Sequence, residues 1–147
     1  MKTLFIFILS LCGMQVFAQQ NIINDNNAVQ RDVPSFSGIK VSGGIDVYLS
    51  QSDSYALAVS AAEEEYTNNI STVVKNGILV ISFRDNNFWR KNGDKKLRAY
   101  ISFKNIESLE ASGASDFYIN NSLNLDNLLI KLSGASDIFG LVNIANL

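Results

Sequence analysis

The sequence predicts an all-β fold of stacked coils, and three observations carry that prediction. The pentapeptide Ser112-Gly113-Ala114-Ser115-Asp116 returns unchanged as Ser133-Gly134-Ala135-Ser136-Asp137, 21 positions later. A looser copy stands upstream as Ser42-Gly43-Gly44-Ile45-Asp46. Around the upstream copy, apolar residues alternate with polar ones at a period of two, the mark of half-buried strands. A repeat this short reads as a β-solenoid or β-helix, in which each coil of roughly 20 residues buries its apolar side only against its neighbours. The expected architecture is therefore β-helix-like stacked coils, with an N-terminal antiparallel strand region and an incomplete C-terminal coil.

Residues 1–18 read as a secretory signal peptide. Lys2 opens the chain, an apolar run from Leu4 to Leu11 follows, and Val16-Phe17-Ala18 supplies a small residue at the cut before Gln19-Gln20-Asn21. The run is too short to span a bilayer. The rival reading makes Cys12 a lipid-attachment site, but the bulky Leu11 before it disfavours that processing. Residues 19–34 are rich in Asn, Gln and Asp and keep no period, so they read as a flexible polar lead-in to a domain over 35–147.

Within that domain each strand has its own signal. Ile39 and Val41, then Ile45, Val47 and Leu49, then Tyr55, Leu57 and Val59 alternate inward and outward, with breaks at Ser42-Gly43-Gly44 and Gln51-Ser52-Asp53-Ser54. Ala61-Ala62-Glu63-Glu64-Glu65-Tyr66 is long enough for one or two helical turns. Asn76-Gly77 lies between Thr72-Val73-Val74 and Ile78–Phe83, the strongest hairpin signal in the chain. Alternation fails from Arg84 to Lys96, a polar loop, and resumes over Leu97–Phe103. Asn124-Leu125-Asp126-Asn127-Leu128 then matches Asn143-Ile144-Ala145-Asn146-Leu147 at an offset of 19, so two residues drop out after the pentapeptide, and a corner is where a coil is expected to lose them. The pattern stops at Leu147, where Leu128 runs on into another coil. A bare C-terminal edge is expected there, with edge-to-edge self-association.

Composition excludes several chemistries. Cleavage after Ala18 leaves residues 19–147 with no cysteine and no histidine. That removes disulfides, thiolate nucleophiles, zinc sites of ordinary composition and a Ser-His-Asp triad. Export without disulfides suits the periplasm, the outer membrane or the cell exterior. The mature chain has 11 basic against 14 acidic residues, which gives nucleic acid no concentrated basic surface.

The repeated residues Ser112, Gly113, Ser115, Asp116, Ser133, Gly134, Ser136 and Asp137 read first as structure. The glycines bend the backbone, the small residues stack, and the aspartates accept backbone amides. The sharper reading places Asp116 and Asp137 about 4.8 Å apart on adjacent coils, the separation of a retaining glycosidase pair and also one that chelates Ca²⁺. Bare carboxylates at about 5 Å repel by about 0.8 kcal/mol in water and about 3 kcal/mol at an effective dielectric of 20, so such a stack must be exposed, capped or cation-bound. No catalytic, cofactor or metal residue is therefore assigned. Phe88 and Trp89 beside Asn86 and Asn87 have the aromatic and amide mixture of a sugar-binding loop. Glu63, Glu64 and Glu65 read as a solvated face.

Phe36-Ser37-Gly38-Ile39, Val41–Val47, Asn76–Ile81 and the two Ser-Gly-Ala-Ser-Asp blocks together resemble the auto-transporter adhesin head domain, or head GIN domain, of secreted Gram-negative proteins, over about Phe36 to Leu147. The resemblance implies a mostly β fold with β-helical coils, export, an adhesive or envelope role and no catalytic residues. The expected function is thus an exported, non-catalytic module that binds a cell-surface or glycan ligand through a flat coil face or the loop from Arg84 to Lys96. Its rivals are a carbohydrate-active enzyme using the stacked aspartates and a purely structural stacking module.

Overall fold

A computed structural model describes residues 24–84 and 93–145. The elements are β1 (Val29–Arg31), β2 (Gly38–Ser42), β3 (Asp46–Gln51), β4 (Ala56–Ser60), α1 (Glu64–Asn68), β5 (Ile70–Lys75), β6 (Ile78–Phe83), β7 (Arg98–Phe103), β8 (Ser108–Ala111), β9 (Phe117–Leu125), β10 (Leu129–Leu132) and β11 (Ile138–Ile144). They form two mixed sheets, neither closed: six strands in the order β1-β4-β7-β3-β9-β11 and five in the order β10-β8-β2-β6-β5. Among the described residues the fold is all-β with one helix of 5 residues. That helix falls over Glu64–Asn68, slightly beyond the expected stretch. Among the described residues no helix is long and apolar enough to cross a membrane.

Parallel pairing dominates, and its registers follow the sequence repeat. Ile39 lies opposite Leu109 and Val47 opposite Phe117, an offset of 70 on both sides of the upstream pentapeptide copy. Leu109 lies opposite Ile130 and Phe117 opposite Ile138, an offset of 21. β6 and β7 pair in parallel with β2 and β3 from the other side. The N-terminal region was expected to be antiparallel, but β2 and β3 sit in the middle of the parallel stack. Among the described residues, antiparallel pairing is confined to β1 with β4, β4 with β7 and β5 with β6. The reason is the Ser42–Asp46 corner: a chain that turns there as it does at Ser112–Asp116 stacks on that coil instead of folding back. The Asn76-Gly77 hairpin forms as read, with φ of 51° and 76°.

The core lies between the sheets. Ile39, Val41, Leu79, Ile81 and Leu109 face Val47, Leu49, Ala99, Ile101 and Phe117, all essentially sealed from solvent. Each such large side chain contributes about 1.5–3 kcal/mol relative to exposure. Part of the expected lead-in is ordered. Val29–Arg31 pairs with β4, and the Arg31 guanidinium donates to the carbonyls of Ile70 (2.8 Å) and Thr67 (3.0 Å), tying the six-stranded sheet to the end of α1 and the start of β5.

One expectation needs correction. The two residues dropped from the last coil are lost inside a strand pair, not at a corner. Phe139 pairs with Tyr118 but Leu141 pairs with Ser122, so Ile119, Asn120 and Asn121 lie opposite Gly140 alone. Asn121 takes φ 63° and Gly140 φ 139°, and a β-carbon on Gly140 would collide with that of Ile119. The bulge depends on those two backbones. Alongside it, the Gln51 side-chain amide stands in for a peptide group, accepting from Asn124 N (2.8 Å) and donating to Asn124 O (2.9 Å).

Candidate functional site

The pentapeptide copies form one corner, stacked rung on rung. Gly113 and Gly134 take φ of 72° and 69°, and a β-carbon on Gly134 would meet Gly113 backbone atoms at 3.4 Å. Ser115 is wholly buried, and its Oγ accepts Ile45 N at 3.1 Å. Ser136, one rung on, is 9% exposed, and its Oγ has no hydrogen-bond partner among the described residues. Asp116 Oδ1 accepts the amide of Asp137 at 2.9 Å, while the main chain continues the ladder through Val47 N to Asp116 O (2.8 Å) and Phe117 N to Asp137 O (2.9 Å). Ser112 N and Ser133 N donate to Val41 O and Ala111 O on their neighbouring rungs.

From this corner the strands carry three side-chain rows across the outer face of the six-stranded sheet. The first is Arg98, Asp46, Asp116 and Asp137. The second, two residues further along each strand, is Tyr100, Tyr48, Tyr118 and Phe139. Its rings stack at centroid distances of 5.2, 5.1 and 5.2 Å, with planes within 15–21° of parallel. The third is Ser102, Ser50 and Asn120, with Asn120 Nδ2 donating to Ser50 Oγ at 3.2 Å. Stacked rings cover one another's faces and present edges and phenol oxygens outward.

The charges along the first row are unequal. Arg98 lies 3.8 Å from Asp25, whose Oδ2 also accepts the Tyr100 hydroxyl at 2.7 Å. Burial alone would raise the Asp25 carboxyl, but hydrogen bonds from Tyr100 and Ser60 and the Arg98 charge hold it below its ordinary value. Burial, together with the Asp25 bond and charge, pushes the Tyr100 phenol up to about 12. The Asp46 carboxyl is raised, first by burial and then by the Asp116 carboxylate. Burial, then Asp46 and Asp116, also raises the Tyr118 phenol. Among the described residues Asp46, Asp116 and Asp137 make no ion pair.

A polar cavity of about 240 Å³ opens between the Gly43-Gly44 corner and Asp94–Arg98. It takes in Asp46 but neither Asp116 nor Asp137. Among the described residues no group of three or more His, Cys, Asp or Glu could hold a metal ion. The expected ligand loop of Asn86, Asn87, Phe88 and Trp89 lies outside the described residues. Glu63 stands at the N-cap of α1, and Glu64 and Glu65 occupy its first turn, a favourable end of the helix for negative charge. The aromatic row went unread in the sequence, though its signal is there: the residue two after the aspartate is aromatic in each copy, Tyr48, Tyr118 and Phe139, and Arg98 is likewise followed by Tyr100.

Residues 35–147 match a family model described as putative auto-transporter adhesin, head GIN domain. Three solved structures share the fold. One is a putative adhesin from Bacteroides fragilis, 23% identical with a TM-score of 0.66, covering 80% of this chain and 56% of that one. A putative lipid binding protein from Parabacteroides distasonis is 20% identical at TM-score 0.61, covering 78% and 49%. A putative adhesin from Parabacteroides merdae is 22% identical at TM-score 0.59, covering 71% and 42%. The chain thus spans about half the length of these structures. At such identities the likeness speaks for the fold alone. No curated protein matches the chain.

Proposed function

The chain belongs to the head GIN domain family of putative auto-transporter adhesins, and on that premise we propose that it is an exported, non-catalytic β-solenoid module that binds an external surface. The solenoid reading is supported by the parallel registers at offsets of 70 and 21. Export rests on the signal-peptide pattern of residues 1–18, and its destination is the periplasm, the outer membrane or the exterior. The observation that carries the binding role is the outer face of the six-stranded sheet, with its carboxylate, aromatic and hydroxyl-amide rows. Ordered rows of mixed chemistry on an open face suit recognition of something large, where a small substrate would need a concave site. The glycosidase reading has less support, because Asp116 Oδ1 already accepts a backbone amide and neither Asp116 nor Asp137 lines the cavity. Association between copies through β10 and β11, which expose Leu129, Ile130, Phe139 and Leu141, is a secondary proposal that sedimentation tests.

Beads coated with residues 19–147 should be retained on mucin, matrix or bacterial cell surfaces, and beads coated with Tyr48→Ala/Tyr118→Ala protein should be released. Retention no better than uncoated beads on every surface overturns the adhesive reading. Turnover of a polysaccharide panel that disappears in both Asp116→Asn and Asp137→Asn would replace it with the enzyme.

A further inference from the structure

We propose that the outer face of the six-stranded sheet takes one ligand class, a linear β-linked polysaccharide bearing free amino groups. The inference rests on the adhesive reading of that face and names what it holds. The chain would lie along the rows and across the strands, with the ammonium groups of one side spaced along the carboxylate row of Asp46, Asp116 and Asp137.

Charge comes first. Three carboxylates follow one another on adjacent strands, and the guanidinium that begins their row is shared with Asp25. Neighbours about 4.8 Å apart repel one another even in water, and cations laid along the row turn that repulsion into attraction. Period comes second. The rings step by 5.1–5.2 Å along the face, close to the length of one β-linked hexose unit; an extended β-linked chain turns each unit over relative to the last, so its same-side groups recur every second unit and meet every second rung. An extended peptide puts same-side side chains about 6.6 Å apart, out of step with rungs about 4.8 Å apart. A basic peptide therefore places one cation well and the next badly.

The remaining groups suit a sugar. Tyr48 and Tyr118 make no hydrogen bond through their hydroxyls among the described residues. Their ring edges offer apolar contact to C–H groups and their phenols a hydrogen bond to ring hydroxyls. Asn120 and Ser50 border the other side of the aromatic row. At the last rung Phe139 is 49% exposed.

Titration calorimetry on residues 19–147 tests this with four probes: a glucosamine hexamer, the fully N-acetylated hexamer, a glucose hexamer of the same β-linkage, and hexalysine. The glucosamine hexamer should bind best, weaken as salt rises, and lose about tenfold in affinity in Asp116→Asn/Asp137→Asn, the scale expected when the row loses two of its three exposed carboxylates. Tyr118→Ala should also weaken it, while Glu110→Gln on the opposite sheet should leave it unchanged. Urea melts in which every variant is fully folded under the binding conditions show that a loss is not unfolding. Equal binding of the neutral hexamers overturns the amino-group assignment. Hexalysine binding as tightly, with the same dependence on Asp116 and Asp137, overturns the glycan in favour of a basic peptide. If no probe binds while coated beads still adhere, this inference falls and the adhesive reading stands.

Discussion

The two sheets carry the same kind of ladder on their outer faces and treat charge in opposite ways. On the five-stranded sheet, Lys131, Glu110 and Lys40 follow one another on β10, β8 and β2, and Lys40 Nζ lies 3.1 Å from Glu110. Signs alternate, and the row continues into Val80 and Val73. On the six-stranded sheet one guanidinium is followed by three carboxylates, with a continuous aromatic row beside them. Across parallel strands in register, any residue repeated at one position becomes a row at a spacing of about 4.8 Å. A face built only for solubility would alternate its charges, as the first does. Repetition of one sign costs stability, which is the physical difference between the two faces.

Both faces rest on one core, and Phe117→Ala tests that most severely. Phe117 is fully buried between Val47 and Ile138, so its loss should cost about 3–5 kcal/mol. Urea unfolding followed by tyrosine fluorescence, which reports the aromatic row, should coincide with unfolding followed by far-ultraviolet circular dichroism. Separate transitions would mean that the faces belong to separate units.

The corner that joins the faces comes next. A β-carbon at Gly134 meets its neighbours at ordinary contact distance, so the penalty for Gly134→Val lies in a φ of 69°. About 1–2 kcal/mol is expected, and an unchanged midpoint would show that the corner does not constrain the stack.

Acid and alkali then probe the crowded face alone. The Asp46 carboxyl is raised by burial and by Asp116, so the folded state binds this proton more tightly than the unfolded chain does. Its contribution is fully present below the ordinary value of 3.8 and is lost as pH rises through the folded value. Asp46→Asn should therefore be more stable than the parent at neutral pH, with the advantage gone below 3.8. Tyr100, raised from 10.0 to about 12, gives stability that disappears across that alkaline window. In Tyr100→Phe that part of the decline should be missing from pH-dependent melts.

The smallest effect contrasts the two rows directly. Glu110→Gln should destabilise by about 0.2–1 kcal/mol, the range of exposed pairs. Asp137→Asn should shift the midpoint slightly upward. Concentrated salt should shrink both differences, and two shifts of the same sign would remove the distinction between the faces.

Much of this was legible in the sequence because repetition and alternation are local. The copies at 42, 112 and 133 announce the corner, Asn76-Gly77 announces the hairpin, and two-residue alternation marks most strands. What stayed hidden depends on pairing between distant segments. The copy at Ser42 points to its partner 70 residues away, but nothing near it says that Ala56–Ser60 pairs antiparallel with β7. The ladder of Tyr100, Tyr48, Tyr118 and Phe139 needed that order, since β7 lies beside β3 although β4, α1, β5 and β6 come between them in the chain. Arg31 reads as a solvated charge until β1 carries it to the carbonyls of Thr67 and Ile70.

The bulge opposite Gly140 sets an arithmetic for how such a chain can vary. Successive residues of a strand face opposite ways, so deleting one would turn every later side chain over, while deleting two leaves the pattern intact. Val142 therefore still packs against the core beside Leu123 although its coil is two residues shorter. An even-numbered deletion at such a bulge lets neighbouring parallel strands differ in length while the rows on both faces stay aligned, provided the backbone there can take the turn that Gly140 takes.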